Sequence, residues 1–213
     1  MYIVEYDLEN EKVKHLINID EKMGKLIKYV GNTQLVIEED GFRCVVKYII
    51  GQQISDIVRE TIYQRVCKFN EITPENMILA KEEDLKTLGL SSRKIEYIKI
   101  LAQAIIDKKI DFNEFHKLNN AEIIQKLTVL KGIGKWTAEM YLIFSLCRED
   151  VFSKGDGTIK RAIQWMYNLK ELPNESELEK YSANWKKYAT IVSAYFWTAG
   201  KLGVFKTPYS EQF

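Results

Sequence analysis

The residues best placed to do chemistry lie in two glycine-marked stretches. The first is Leu130-Lys131-Gly132-Ile133-Gly134-Lys135-Trp136-Thr137-Ala138. Two glycines flank one apolar residue, between a helix expected to end near Val129 and one expected to begin near Lys135. Glycine permits a tight backbone turn and leaves no Cβ in the way of an approaching ligand. The amides that follow point outward at a helix N-terminus, which favours phosphate, and Ile133 would pin the turn to the core. Such a hairpin grips a DNA backbone without reading its sequence. The plain alternative is an ordinary interhelical turn, since a pair of glycines alone is a weak signal. The second stretch is Asp150-Val151-Phe152-Ser153-Lys154-Gly155-Asp156-Gly157-Thr158-Ile159-Lys160-Arg161. Asp156 sits between two glycines just before a helix. A carboxylate there is either a helix N-cap or a negative charge held where positive charge develops.

Composition removes other chemistries. The chain has 213 residues and only 2 histidines, His15 and His116, far apart. A histidine-rich zinc site and a serine–histidine–aspartate relay are therefore not expected. The 3 cysteines, Cys44, Cys67 and Cys147, form no C-x-x-C and read as reduced thiols. No basic region followed by an apolar one opens the chain, and no apolar run approaches the roughly 20 residues of a membrane span. A cytoplasmic protein with no membrane partner is expected. Lys plus Arg is 31 against 30 for Asp plus Glu, a net charge of +1. That balance excludes a protein that holds nucleic acid mainly by bulk charge. Lys131, Lys135, Lys154, Lys160 and Arg161 could act locally, which predicts a shallow dependence of binding on salt.

The elements that must position these residues are mostly helical. Residues 1–6 and 33–39 alternate apolar and polar types and read as short strands. Residues 19–31 read as a helix closed by Gly31. From Gly41 the apolar residues repeat at the helical period. Phe42, Val45, Val46, Ile49 and Ile50 share one face, Ser55 caps the next helix, and Thr73-Pro74-Glu75 is a cap followed by proline at the first position. Further helices are expected from Ser92, around Ile123–Leu127, and over 137–146, 159–168, 175–181 and 188–198. The fold class is thus mostly α, with short β segments near the N-terminus. Three segments are expected: 1–40, packing with the C-terminal helices; 41–150, a helical barrel ending in a hairpin at about 123–147; and 151–213, the aspartate loop and the C-terminal helices.

Taken together, these stretches resemble a known family. The L-x-G-I-G-x-W-T-A hairpin, followed by Asp150-Val151-Phe152 and then Gly155-Asp156 before a helix, is similar to the helix-hairpin-helix (HhH-GPD) DNA glycosylases. The 3-methyladenine DNA glycosylase II branch is the nearest. Ile49-Ile50-Gly51-Gln52-Gln53-Ile54-Ser55, Leu88-Gly89 with Lys94, Trp185-Lys186-Lys187-Tyr188 and Tyr195-Phe196-Trp197 extend the likeness, in the family's order, over roughly residues 20 to 200.

The resemblance implies two helical subdomains with the active-site cleft between them. It implies a base-excision repair enzyme acting on damaged double-stranded DNA, expected as a monomer in the cytoplasm or nucleoid of a microbe. By resemblance Asp156 is the catalytic aspartate. It would stabilise the oxocarbenium-like sugar formed as the base leaves and orient water; Asp150 is the decoy. Trp136 and Trp197 would form the pocket for a flipped alkylated purine, where stacking on a cationic base gains roughly 0.5–2 kcal/mol. Met140 stands in that pocket where the branch has a tyrosine. Bifunctional members carry a lysine nucleophile at the position of Trp136, and an indole cannot form a Schiff base, so no strand cleavage is expected. Lys135 lies one residue early, facing phosphate or solvent. Gly132, Gly134, Lys135 and Thr137 would bind the DNA backbone, and Gln53 would be the wedge that fills the gap left by the flipped base. The carbonyls of Thr128, Leu130 and Ile133 would hold a structural monovalent cation, Na+ or K+. No cofactor is required, and no iron–sulfur cluster is expected, because no four-cysteine motif follows the aspartate. Trp165 and Trp185 read as core filler. The alternatives keep the fold but change the base to 8-oxoguanine, uracil or a deaminated base, or leave a non-catalytic DNA-binding module.

Overall fold

A computed structural model describes residues Met1–Phe213, which divide into two compact units, Met1–Ile37 with Cys147–Phe213 and Glu38–Leu146. The first unit begins with β1 (Tyr2–Tyr6), α1 (Glu11–Ile19), α2 (Glu21–Val30) and β2 (Thr33–Ile37). The strands pair antiparallel, Tyr2 opposite Ile37 and Tyr6 opposite Thr33. Asp20 caps α2 by accepting from the Met23 amide at 2.9 Å, and Gly31 ends it at φ 74°. The helix α1 lies largely in residues 7–18, to which the sequence pattern assigns no element. Its cap is Asn10, whose side chain accepts from the Lys12 and Val13 amides, and it buries only Val13 and Leu16.

The second unit contains α3 (Gly41–Gly51), α4 (Asp56–Phe69), α5 (Pro74–Leu79), α6 (Glu82–Thr87), α7 (Ser92–Ile106), α8 (Asn120–Thr128) and α9 (Lys135–Phe144). Nearly every side chain of α3 is buried, so this helix forms the centre, with α4, α7 and α9 packed on it. A helix apolar at all but two positions, Arg43 and Lys47, belongs in such a place. Ser55 and Thr73 cap α4 and α5 through their hydroxyls, with Pro74 in the first turn of α5.

The chain then returns to the first unit with α10 (Gly157–Met166), α11 (Glu175–Ser182), α12 (Ala189–Leu202) and the short α13 (Tyr209–Gln212). Residues Ala189–Phe196 of α12 are all buried, and α12 packs on α2, α10 and β2. Its Thr198 hydroxyl meets that of Thr33 at 2.6 Å, and Tyr195 reaches the Gly31 carbonyl at 3.1 Å. Trp185, 1% exposed, donates its indole N–H to Asp20, and Trp165 donates to the Thr207 carbonyl among Phe205, Tyr209 and Phe213. Both tryptophans serve packing. No helix is long and apolar enough to cross a membrane.

Candidate active site

The hairpin of the second unit begins where α8 ends. The Leu130 amide returns to the Leu127 carbonyl and the Ile133 amide to the Leu130 carbonyl, both at 3.1 Å, which folds the chain sharply at Lys131-Gly132. The two glycines are needed for different reasons. Gly132 has φ 91°, and a Cβ on it would stand 2.0 Å from the Tyr97 ring of α7. Gly134 has an ordinary φ of −90° and nothing within 4 Å of where its Cβ would be. It is the N-cap of α9, and no side chain caps that end. A helix start left open in this way presents backbone N–H groups and the positive end of the helix dipole.

Among the charged residues nearby, Lys135 is exposed and stands 4.0 Å from Glu139 on the next turn. Lys131 is engaged with Glu96 at 2.5 Å. Thr137 is buried, and its hydroxyl accepts a hydrogen bond from Gln52 at 3.1 Å. Its side chain therefore faces inward, and only its backbone can serve a phosphate.

In the first turn of α9, Trp136 is half-buried and meets Tyr48 of α3 edge-to-face, the ring centroids 5.9 Å apart. Tyr48 is stacked on Phe144 at 5.1 Å, and the Arg59 guanidinium lies 5.1 Å from the Tyr48 ring centroid. Burial pushes the Tyr48 phenol far above its ordinary range, so it is neutral and acts as a packing surface. Met140, four residues after Trp136 and on the same side of α9, is 2% exposed. Nothing in the sequence singled out Tyr48, which lies on α3 between Lys47 and Ile49. Gln53 is exposed in the turn between α3 and α4, at φ 59°.

The carboxylate lies in the first unit. Asp156 is the N-cap of α10, and its Oδ1 accepts from the Thr158 amide at 2.9 Å and the Ile159 amide at 3.0 Å. The Trp197 indole N–H donates to the same oxygen at 3.2 Å. Asp156 is thus a helix N-cap whose carboxylate also takes the indole donor. The cap fixes the side chain, and an aromatic from α12 is brought onto it because α10 packs against α12.

The loop leading to Asp156 is also held. The Thr190 hydroxyl donates to the Arg148 carbonyl at 2.7 Å and lies 3.2 Å from the Val151 amide, and the Thr190 amide donates to the Glu149 carbonyl. Asp150 is exposed at the start of this loop. Lys154 is paired with Glu179, and Arg161 donates to the Thr158 hydroxyl. Two of the five cations singled out in the sequence, Lys131 and Lys154, are therefore already matched by carboxylates.

Residues 46–187 match the HhH-GPD superfamily base excision DNA repair proteins, and the chain belongs to that family. Among its relatives is the DNA-3-methyladenine glycosylase 1 of Schizosaccharomyces pombe, 31% identical over 91% of this chain and 89% of that protein. The solved structure of the 3-methyladenine DNA glycosylase of that organism in complex with abasic DNA superposes with a TM-score of 0.85 at 30% identity, covering 90% of this chain and 97% of that one. A DNA-3-methyladenine glycosidase from Bacillus halodurans superposes with a TM-score of 0.81 at 31% identity, over 98% of both chains.

Proposed function

We propose that the protein is a monofunctional DNA glycosylase that removes alkylated purines of the 3-methyladenine type from double-stranded DNA in the cytoplasm or nucleoid. The observation that carries this reading is the Asp156 carboxylate, held by two backbone amides and the Trp197 indole. A carboxylate so fixed needs no reorganisation when positive charge appears beside it. Scission of the bond from the sugar C1′ to the purine sends the bonding electron pair to the base. An N3-alkylated purine is cationic, so it leaves neutral and needs no separate acid. The sugar becomes oxocarbenium-like, Asp156 stabilises it, and water adds to C1′ while its proton passes to Asp156 or solvent.

The assignments that accompany the reading follow the geometry of each unit. The α9 N-terminus takes a phosphate through the amides from Gly134 onward, with Lys135 beside it. Trp136, backed by Tyr48 and Met140, offers an indole face to a cationic base. Trp197 both reads the base and orients Asp156, and Gln53 is the wedge. The carbonyls of Thr128, Leu130 and Ile133 suit a Na+ or K+ ion: they are neutral oxygens at a helix C-terminus, and residues 128–134 include no carboxylate. Such an ion would add positive charge next to the phosphate.

The test is to incubate the protein with DNA treated with a methylating agent, and separately with 8-oxoguanine and uracil duplexes, and to analyse the released bases. Release of methylpurines with the strand left intact until heat or alkali is added is expected. No release from any substrate overturns the enzyme reading, and spontaneous nicking overturns the monofunctional one.

Two variants probe individual contacts. Trp197→Phe keeps a ring but removes the donor to Asp156, and single-turnover excision is expected to fall about tenfold, the worth of one hydrogen bond to a charged group. An unchanged rate would detach Trp197 from the carboxylate. Gly134→Ala should melt like the wild type, because its Cβ meets nothing, yet bind duplex DNA about tenfold more weakly in a fluorescence-anisotropy titration. Undiminished binding would move the phosphate elsewhere.

A further inference from the structure

The turn between α3 and α4 is strained, and one side chain ties it to the hairpin. The Ile54 amide donates to the Gly51 carbonyl at 3.3 Å, closing a four-residue turn in which Gln52 has φ −57° and ψ 127° and Gln53 has φ 59°. This is a type II turn, whose third position favours glycine or asparagine because a Cβ clashes there. A glutamine at that position persists only if its surroundings hold it.

Gln52 supplies the hold. Its Nε2 donates to the Gly132 carbonyl at 2.9 Å and lies 3.1 Å from the Thr137 hydroxyl, a contact spanning 80 residues of sequence. The amide orientation follows from chemistry, since a carbonyl oxygen can only accept. Behind the turn, Lys94 of α7 donates to the Ile50 carbonyl at 2.7 Å, and burial pushes its ammonium below the usual lysine range. The turn that presents Gln53 is thus joined to the residue next but one before the open end of α9.

We propose that Gln52 is a positioning residue that couples the phosphate-gripping hairpin to the turn that enters the duplex. Seating a phosphate at α9 then fixes where Gln53 is aimed. The proposal rests on the glycosylase reading and on Gln53 as the wedge; it adds that the two DNA contacts act as one device.

Gln52→Glu and Gln52→Ala test it, alone and in a Gln53→Ala background. The readouts are single-turnover release of methylpurines, anisotropy with undamaged duplex, and fluorescence of 2-aminopurine beside an abasic analogue. Circular dichroism and melting monitor folding. Near neutral pH, Gln52→Glu turns a carboxylate oxygen toward the Gly132 carbonyl, and about a tenfold loss of excision is expected. A carboxyl so placed holds its proton to higher pH than a free glutamate. Protonated, it donates to Gly132 again, so the variant-to-wild-type ratio should rise as pH falls. The Gln52→Ala ratio should stay flat with pH. Undamaged DNA should bind within about twofold of wild type for both. The 2-aminopurine signal should drop as it does for Gln53→Ala, and Gln52→Ala should add little in the Gln53→Ala background.

Wild-type excision by both variants, a loss of undamaged-duplex binding as large as the loss of excision, or full additivity with Gln53→Ala overturns the proposal. If Gln52→Ala fails to fold, the pH ratio of Gln52→Glu decides. A wild-type protein that releases no base overturns the glycosylase reading instead, and the 2-aminopurine arm still decides the tether.

Discussion

Asp156→Asn is expected to lower base release by about 10²–10³-fold, the usual cost of removing one preorganised electrostatic contact to a transition state, while the protein stays folded and bound to DNA. The substitution separates two duties of one side chain. Asparagine keeps an oxygen that can accept from the Thr158 and Ile159 amides and from the Trp197 indole. It is as good an N-cap as aspartate, so α10 should not fray. What disappears is the negative charge. Asp156→Ala would confuse the matter, because losing the cap costs about 1 kcal/mol and leaving the partly buried indole N–H unpaired costs about 1–3 kcal/mol more. The measurement is single-turnover release from methylated duplex, with thermal melting and anisotropy run on the same preparations. An asparagine variant with normal turnover would mean that another group carries the charge.

Gly132→Ala should be the most damaging small substitution in the hairpin, destabilising the protein by about 2–5 kcal/mol. An L-residue at φ 91° costs about 1–2 kcal/mol, and overpacking adds typically 1–3 kcal/mol. The methyl would sit 2.0 Å from the Tyr97 ring, so the ring or the hairpin must move. Urea unfolding followed by circular dichroism reads the loss directly. Adding Tyr97→Ala should restore the packing part and leave the backbone part. A Gly132→Ala protein as stable as wild type would mean that the turn has a second backbone solution. The contrast with Gly134→Ala is the informative pair: similar sequence context, one glycine required by the fold, the other by open space.

What could be read in the sequence was what is local in the chain. Caps and stops such as Ser55, Thr73-Pro74 and Gly31 act within a turn of themselves, so they showed plainly. The Gly132–Gly134 turn and the placement of Asp156 before α10 showed for the same reason. The helix α1 did not, because a cap and two buried residues, Val13 and Leu16, give too short a periodic signal to outweigh the alternation on either side. Contacts between distant segments were invisible. Nothing marks Gln52 as a partner of Gly132 across 80 residues, or Trp197 as a hydrogen-bond donor to Asp156. Tyr97 could be found only once the hairpin's backbone was built against α7. The pairing of Lys131 with Glu96 and of Lys154 with Glu179 was equally invisible.

The division of the chain has a consequence for how the protein comes into being. Glu38–Leu146 is continuous, so it can fold as soon as it has left the ribosome. Met1–Ile37 emerges before that unit but belongs with Cys147–Phe213, which emerges after it. A two-stranded ribbon is marginal alone, and the Thr33 hydroxyl and the Gly31 carbonyl meet their side-chain partners on α12. Met1–Ile37 must therefore wait, with Tyr6, Leu26 and Ile27 uncovered, until Cys147–Phe213 has followed. The unit that carries Asp156 is therefore completed after the unit that carries the Gly132–Gly134 hairpin.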